Sequence, residues 1–305
     1  MIKAMTNKTI VMTGGSSGFG QTTIKKFLQT KDVRIILGVR NVRNIAGVET
    51  IALDLNSLAK VHSFADNVIV KLGSNRIDAL VLNAGTNSSD IDSRTVDGFE
   101  TTFAVNHLAH YLLIRLLLPY MAEEASIVIT TSGTHDPAEK TMISPPKHAN
   151  AFLLAHPEKD TLDNNPQVNA GRAYSSSKLC NILTARFLLS LPVIQANQIK
   201  IIAYDPGPTP GTGLVRSNRL VVRFVWKILS FTIIRNFIPH FNSRKASGEA
   251  LANIALETIQ PPRGHFYAAL RKGKITWPFP STLALDDQAM ELLWKDSAKL
   301  VGLLP

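Results

Sequence analysis

The stretch "TIVMTGGSSGFGQTTI", residues 9–24, passes from an unbroken apolar run through a loop of glycines and serines into a segment with helical spacing. A short apolar run rich in β-branched residues predicts a buried strand over residues 9–12. Gly14, Gly18 and Gly20 follow with the spacing G-x-x-x-G-x-G and lead into a predicted helix over residues 18–30. Glycine lets the chain turn tightly and lie close to a pyrophosphate, and a helix N-terminus offers free N–H groups with a partial positive charge. A ligand-free turn has the same composition. The strand before and the helix after favour a dinucleotide phosphate.

Further runs rich in Val and Ile predict strands at 33–39, 50–53, 77–82, 126–131 and 199–204, separated by helical patterns at 58–72, 97–121 and 172–191. Nearly continuous apolar strands separated by helices imply a parallel sheet covered on both faces, the α/β doubly wound arrangement. Such sheets bind ligands beyond the carboxyl ends of their strands, near the topological switch point. Two segments fall outside the alternation. Residues 133–171, with "HDPAEK", "SPPKHAN" and "HPEKD", read as a surface insertion without regular structure; residues 207–243 hold an apolar basic run. Both follow strand ends, so both are expected to wall and cover a substrate pocket. Residues 1–305 thus read as a single domain with two insertions.

Apolar residues make up 45% of the chain, enough for a substantial core. The lone Cys180 forms no internal disulfide, and no Cys/His cluster has metal-ligand spacing, so no metal is expected. The N-terminal "MIKAMTNKTIVMTGG" has no apolar leader before the first strand, which makes the cytoplasm the expected location. The net charge of +10 is scattered rather than blocked, which disfavours nucleic acid and leaves a phosphorylated ligand or an anionic membrane. Residues 220–239 are the most apolar in the chain but carry Arg223, Lys227 and Arg235, so no transmembrane span is expected. They read as an amphipathic helix over the site, with peripheral membrane contact as the alternative.

At the end of the second strand, "ILGVRN" places Arg40 where dinucleotide folds choose between a ribose and a ribose phosphate. An acidic residue there accepts from a 2′-hydroxyl, whereas arginine pairs with a 2′-phosphate, so NADP(H) is favoured over NAD(H). Asp54, after the third strand, is placed to accept from an adenine amino group; a helix N-cap is its competing role, one that Asn56 or Ser57 also suits. "LVLNAG" ends the fourth strand with Asn83, Ala84 and Gly85, small enough for a ribose to lie against the backbone.

"IVITTSGT" brings Ser132 to the end of the fifth strand, and "RAYSSSKLCN" sets Tyr174 and Lys178 one turn apart on one helix face. Hydride delivery to a carbonyl carbon requires a proton for the oxygen. A tyrosine titrates near pH 10, and the lysine cation is expected to lower that value. Ser132 is placed to donate to the substrate oxygen, and Asn106, inside a helical pattern, to bend the helix and extend a proton relay toward Lys178. Singly, each residue has an ordinary packing or capping role. Their joint order at successive strand ends is what departs from chance.

With these motifs in hand, the sequence resembles the short-chain dehydrogenase/reductases over about residues 8–210, through "TGGSSGFG", "NAG", Asn106, Ser132, "YSSSK" and "DPGPT". The resemblance implies a Rossmann-type fold with Asn106, Ser132, Tyr174 and Lys178 as catalytic tetrad. It implies cofactor contacts from Gly14, Ser16, Ser17, Gly18, Phe19 and Gly20, from Arg40, Asp54 and Leu55, and from Asn83, Ala84 and Gly85. Tyr174 and Lys178 also belong to the cofactor set. Pro206, Gly207 and Thr209 match the loop beside the nicotinamide, with Thr212 as a second candidate because repeated Pro and Gly leave the register open.

Within the family, "NHLAHYLLIRLLLP", "AYSSSKLCNILT" and "TGLVR" look like the branch of retinol dehydrogenases and light-dependent protochlorophyllide reductases. The photoenzymes of that branch carry a cysteine before the "NA" pair, where this chain has Leu82. The resulting expectation is an NADPH-dependent, reversible reduction of the carbonyl of a bulky, mostly apolar small molecule, as in a ketoreductase of secondary metabolism. A protochlorophyllide-type or retinoid reductase and a non-catalytic NADP(H)-sensing binding protein are the alternatives. Cys180, rotated away from Lys178, reads as a small buried apolar residue.

Overall fold

The strand that opens the chain, β1 (Lys8–Thr13), is buried at every position except Lys8, as a strand covered on both faces must be. It lies near the middle of one eight-stranded sheet in the order β3-β2-β1-β4-β5-β6-β7-β8. The other strands are β2 (Val33–Val39), β3 (Glu49–Ala52), β4 (Ile77–Leu82), β5 (Met121–Thr130), β6 (Lys200–Asp205), β7 (Tyr267–Arg271) and β8 (Lys274–Thr276). Neighbours pair in parallel except β7 with β8. This computed structural model describes residues 8–210 and 241–304. Thr212 and the apolar basic run 220–239 lie outside the described residues.

Successive strand side chains point to opposite faces, and two cores result. Ile10, Met12, Ile35 and Leu37 pack beneath α1 (Gly18–Leu28) and α8 (Arg244–Ala255), through Phe27 and Leu251. Val11, Ile36, Leu80 and Ile127 pack on the opposite face beneath α2 (Leu58–Leu72), α4 (Ala109–Leu117) and α6 (Pro166–Ser190). Burying each such side chain stabilises by roughly 1.5–3 kcal/mol. The C-terminal α9 (Asp287–Leu300) adds an outer layer, its Trp294 stacked on Phe187 at 4.3 Å and edge-on to Tyr111 at 4.8 Å. Among the described residues no helix is long and apolar enough to cross a membrane.

The chain leaves β1 toward β2 and β3, then returns to the other side at β4. The carboxyl ends of β1 and β4 therefore flank the switch point, where strand connections diverge and leave a crevice.

The structure departs from the sequence-based expectations in four places. The predicted helix over 97–121 is interrupted: α3 (Thr101–Phe103) leads into a π turn (Ala104–Leu108), then α4, then a 3₁₀ turn (Leu118–Tyr120), and Met121 already belongs to β5. Residues 133–171 are more regular than expected, with 3₁₀ turns at Gly133–His135, Pro137–Glu139 and Pro157–Lys159 and a short α5 (Ala151–Ala155). Their last six residues are the start of α6. Pro166 sits in the first turn, where its missing N–H costs nothing, and the Asn165 side chain caps the Gln167 amide. Beyond Tyr204, strand β7, the edge strand β8 and helices α8 and α9 were not predicted; β7 carries two alanines and β8 is three residues long. A further short helix, α7 (Pro192–Ala196), ends the α6 connection.

Candidate active site

Thr13, at the carboxyl end of β1, accepts hydrogen bonds on its Oγ1 from the backbone amides of Asn83 and Ala84, both at 3.0 Å. Asn83 in turn donates from Nδ2 to the Gly14 carbonyl at 3.0 Å and accepts from Thr130 Oγ1 at 3.2 Å. The ends of β1, β4 and β5 are thus sewn together by side chains. Gly14 adopts φ +71°, and a Cβ there would lie 2.6 Å from the Ala84 backbone. A Cβ on Gly20 would lie 2.1 Å from the Gly14 carbonyl oxygen. Neither position admits a side chain without moving backbone.

Ser17 occupies the N-cap of α1, yet its side chain makes no capping hydrogen bond. The first-turn amides that a serine cap ordinarily satisfies therefore face a cleft of about 250 Å³. Gly14, Ser16, Ser17, Gly18, Phe19 and Gly20 line one side of it. Its outer end is lined by Arg40, Asp54 and Leu55. Arg40 is exposed at that mouth. Arg43, which the sequence reading passed over, donates to the Ser16 carbonyl at 3.0 Å and ties the segment after β2 to the glycine loop. Its only signal in the sequence was its place three residues after Arg40. Asp54 does not cap a helix: its Oδ1 accepts from the Asn56 amide and side chain at 3.1 and 2.9 Å, and Ser57 is the N-cap of α2.

The inner end is lined by Asn83, Ala84, Gly85, Tyr174, Lys178 and Pro206. Thr86, Thr101 and Val105 join them unpredicted. A cleft with free helix amides at its middle, a cation at one mouth and a phenol and an amine at the other suits a dinucleotide laid across the strand ends. Asn106, Ser132, Gly207 and Thr209 do not line this cleft but stand around its inner end. Thr209 is buried and bonds the Gly207 carbonyl at 3.0 Å and Ser247 Oγ at 2.9 Å. Gly207 donates its amide to Asp205 at 2.9 Å.

Asn106 lies in the π turn, fully buried. Its Oδ1 accepts from the Thr86 amide at 2.7 Å, and its Nδ2 donates to the Thr86 carbonyl at 2.9 Å and to Ser177 Oγ at 3.0 Å. Ser177 passes its own proton to the Tyr174 carbonyl at 2.7 Å. Ser132 caps the 3₁₀ turn after β5, accepting from the Thr134 amide, and it bonds the Tyr174 side chain. Lys178 Nζ reaches the Thr130 carbonyl at 3.3 Å. The serines between Tyr174 and Lys178 are all buried.

Electrostatics differ from the sequence-based expectation. The lysine was expected to pull the tyrosine down. Burial instead pushes the Tyr174 phenol up to about 12, with the hydrogen bond from Ser132 opposing and the Asp205 carboxylate adding to the rise. Burial likewise drives Lys178 down to about 8, against the attraction of Asp205. Desolvation penalises phenolate and ammonium alike, and it is the largest influence on both groups. Burial also raises the Cys180 thiol, which is fully enclosed, so it is not a reactive thiolate.

The Asp205 carboxylate was not anticipated. It is buried and accepts from Arg271 Nη1 at 2.8 Å and Tyr267 Oη at 3.2 Å, while Arg271 Nη2 reaches Glu139 at 2.7 Å. His135 extends this frame, with Nδ1 2.8 Å from the Ser132 carbonyl and Nε2 accepting the Ser281 amide at 3.2 Å. Apart from His135 and Ser132, these partners are 62 to 146 residues apart, so nothing in local spacing announced them.

Residues 8–144 match the model of the short chain dehydrogenase family. Bovine (Bos taurus) retinol dehydrogenase 12 is 28% identical over 97% of this chain and 87% of its own length. The protochlorophyllide reductase of Chlamydomonas reinhardtii is 27% identical over 97% of this chain and 78% of its own. Among solved structures, a protein from Mycobacterium paratuberculosis superposes with a TM-score of 0.68 at 24% identity, covering 98% of this chain and 95% of that one. The NADPH-bound carbonyl reductase from chicken fatty liver gives a TM-score of 0.60 at 14% identity, covering 90% and 95%, and shares the fold. Through the family model over residues 8–144, and through relatives aligned along nearly its whole length, the chain is similar to the short-chain dehydrogenase/reductases, NAD(P)-dependent oxidoreductases of alcohol and carbonyl groups, and among them to retinol dehydrogenases and protochlorophyllide reductases.

Proposed function

We propose that this protein is an NADPH-dependent reductase of the carbonyl of a bulky, mostly apolar small molecule, working reversibly as an alcohol dehydrogenase. The observation that carries the reading is the placement of Tyr174 and Lys178 at the inner end of a cleft whose outer mouth holds Arg40. The glycine loop and the amides of α1 would hold a pyrophosphate, Arg40 a 2′-phosphate, and Asn83, Ala84 and Gly85 a ribose. The bound nicotinamide supplies hydride chemistry. Tyr174, kept as a phenol by burial, is the proton donor to the substrate oxygen. Ser132, bonded to Tyr174, orients that oxygen. Lys178 offers a cation beneath the phenol, and Asn106 fixes the backbone around it. In the oxidative direction the phenolate form of the same residue takes the proton back.

Residues 133–171 supply the wall on the substrate side, pinned beside Ser132 through His135 and Glu139. A bulky apolar substrate is favoured by the relatives, which include retinol dehydrogenases and protochlorophyllide reductases. Leu82 stands where the photoenzymes of that branch carry cysteine, which favours dark reduction.

The test is a screen of ketones, quinones and aldehydes, retinal and protochlorophyllide among them, following NADPH absorbance in the dark and in light. Turnover in the dark by the wild type, abolished in Tyr174→Phe, is the expected result. Absence of turnover across the panel despite tight NADPH binding would favour a cofactor-sensing protein, and turnover only in light would favour a photoreductase.

A further inference from the structure

His110, on α4, is buried between two groups of the site and belongs to neither cofactor cleft nor substrate wall. Its Nε2 lies 3.0 Å from Thr13 Oγ1 and its Nδ1 lies 3.2 Å from the Asn106 carbonyl oxygen. Both partners are buried, at 1% and 0% exposure.

The direction of each bond follows from counting protons. Thr13 Oγ1 already accepts from two backbone amides, Asn83 and Ala84. A hydroxyl has two lone pairs and one proton, so Thr13 has only its proton left to offer, and His110 Nε2 must accept it. The Asn106 carbonyl is an acceptor alone, so His110 must carry its proton on Nδ1. The opposite tautomer would aim a third donor at Thr13 and a lone pair at a carbonyl oxygen. Burial drives the His110 pKa down to about 3, with Lys178 and His107 adding repulsion, so the ring is neutral and one tautomer persists.

A π turn holds one residue more than an α turn and recurs at functional sites. Here the carbonyl at issue belongs to the residue whose side chain bonds Thr86 and Ser177. We propose that His110 is a positioning residue that ties the Asn106 carbonyl to Thr13 at the switch point and thereby holds the π turn in the register that aims Asn106. The chain of bonds then runs Thr13, His110, Asn106, Ser177, Tyr174, so the end of the glycine-loop strand and the helix carrying the phenol share one frame. The inference rests on the reading of Asn106 as part of the reacting end.

The test has a readout independent of turnover. In the wild-type protein labelled with ¹⁵N-histidine, His110 should show the neutral Nδ1–H tautomer; the Nε2–H tautomer would overturn the proposal. The Thr86 amide, which donates to Asn106 Oδ1, reports the aim of Asn106 by hydrogen exchange. His110→Phe should speed its exchange at least about tenfold while the Leu37 amide in β2 is unmoved, because local opening is separable from global unfolding. His110→Gln, whose amide keeps one donor and one acceptor, should hold that rate within about threefold of wild type. Unchanged Thr86 exchange in His110→Phe, or equal acceleration at Leu37, would refute the positioning role. With a carbonyl that the dark screen identifies, His110→Phe should lower kcat about tenfold, leave the NADPH dissociation constant within about twofold, and add nothing to Asn106→Ala. Losses that add would refute it too. Failure of the screen to find any carbonyl would count against the reductase reading and leave the tautomer and exchange measurements to decide this one.

Discussion

Lys178 Nζ stands 5.5 Å from the centre of the Tyr174 ring, with both side chains nearly closed off from solvent. The pair is near enough to feel each other's charge, yet the dominant influence on each is the loss of water. Burial lifts the phenol and depresses the amine, which leaves a neutral acid beside a cation that gives up its proton unusually easily.

A pH profile follows with a definite sign. Tyr174, pushed up to about 12, remains a phenol throughout the neutral range, whereas Lys178, near 8, loses its proton as the medium becomes mildly alkaline. With NADPH as the varied substrate, kcat/KM reports ionisations of the free enzyme. It should be flat in the neutral range and fall as pH rises through about 8. A profile that instead rose through this pH, as deprotonation of an activating phenol would give, would contradict the assignment.

The same depression makes Lys178 a cost to stability at neutral pH. Its folded value near 8 lies below the ordinary 10.5, so between those values the unfolded chain binds more protons and stability rises with pH. Lys178→Met should therefore stabilise the cofactor-free protein at neutral pH by about 2–3 kcal/mol, most of that gain vanishing above about pH 10.5. Urea unfolding at the two pH values measures it. Turnover should drop by at least ~100-fold.

Arg271 links Asp205, whose side chain is 2% exposed, to Glu139 in the wall beside Ser132. Removing one member of a buried ion pair strands the other charge. Arg271→Met is expected to destabilise by about 3 kcal/mol, and Arg271→Met with Asp205→Asn by less than the two single losses added together. Chemical denaturation of the four proteins checks the non-additivity.

At the outer mouth, Arg40 is exposed. If it meets a 2′-phosphate, Arg40→Asp should weaken NADPH binding about 10- to 100-fold, the loss expected for a charge-assisted hydrogen bond turned into repulsion, and leave NADH binding unchanged or tighter. Titration of nucleotide fluorescence distinguishes the two. Equal effects on both nucleotides would assign the arginine no part in choosing between them, and Arg43, bonded to the Ser16 carbonyl, would be the next residue to test.

Local spacing determined a good deal. The apolar run before Gly14, the glycine loop and the alternation after it were enough to name a doubly wound sheet, and the four-residue step from Tyr174 to Lys178 was enough to put them on one helix face. Those features are legible because strand and helix periods are properties of short segments. What the sequence missed involves partners far apart in the chain. Helix α6 begins at Pro166 because a proline among polar residues is as good a first turn as a breaker, and only the packed helix tells which. Asn106 in the π turn is bonded to Thr86 and Ser177, 20 and 71 residues away, and the Asp205–Arg271–Glu139 frame joins three separate elements. Above all, the sequence placed a phenol beside an amine but not the balance between them. That balance turned on how completely the fold excludes water, because desolvation acts on each charge according to everything packed around it.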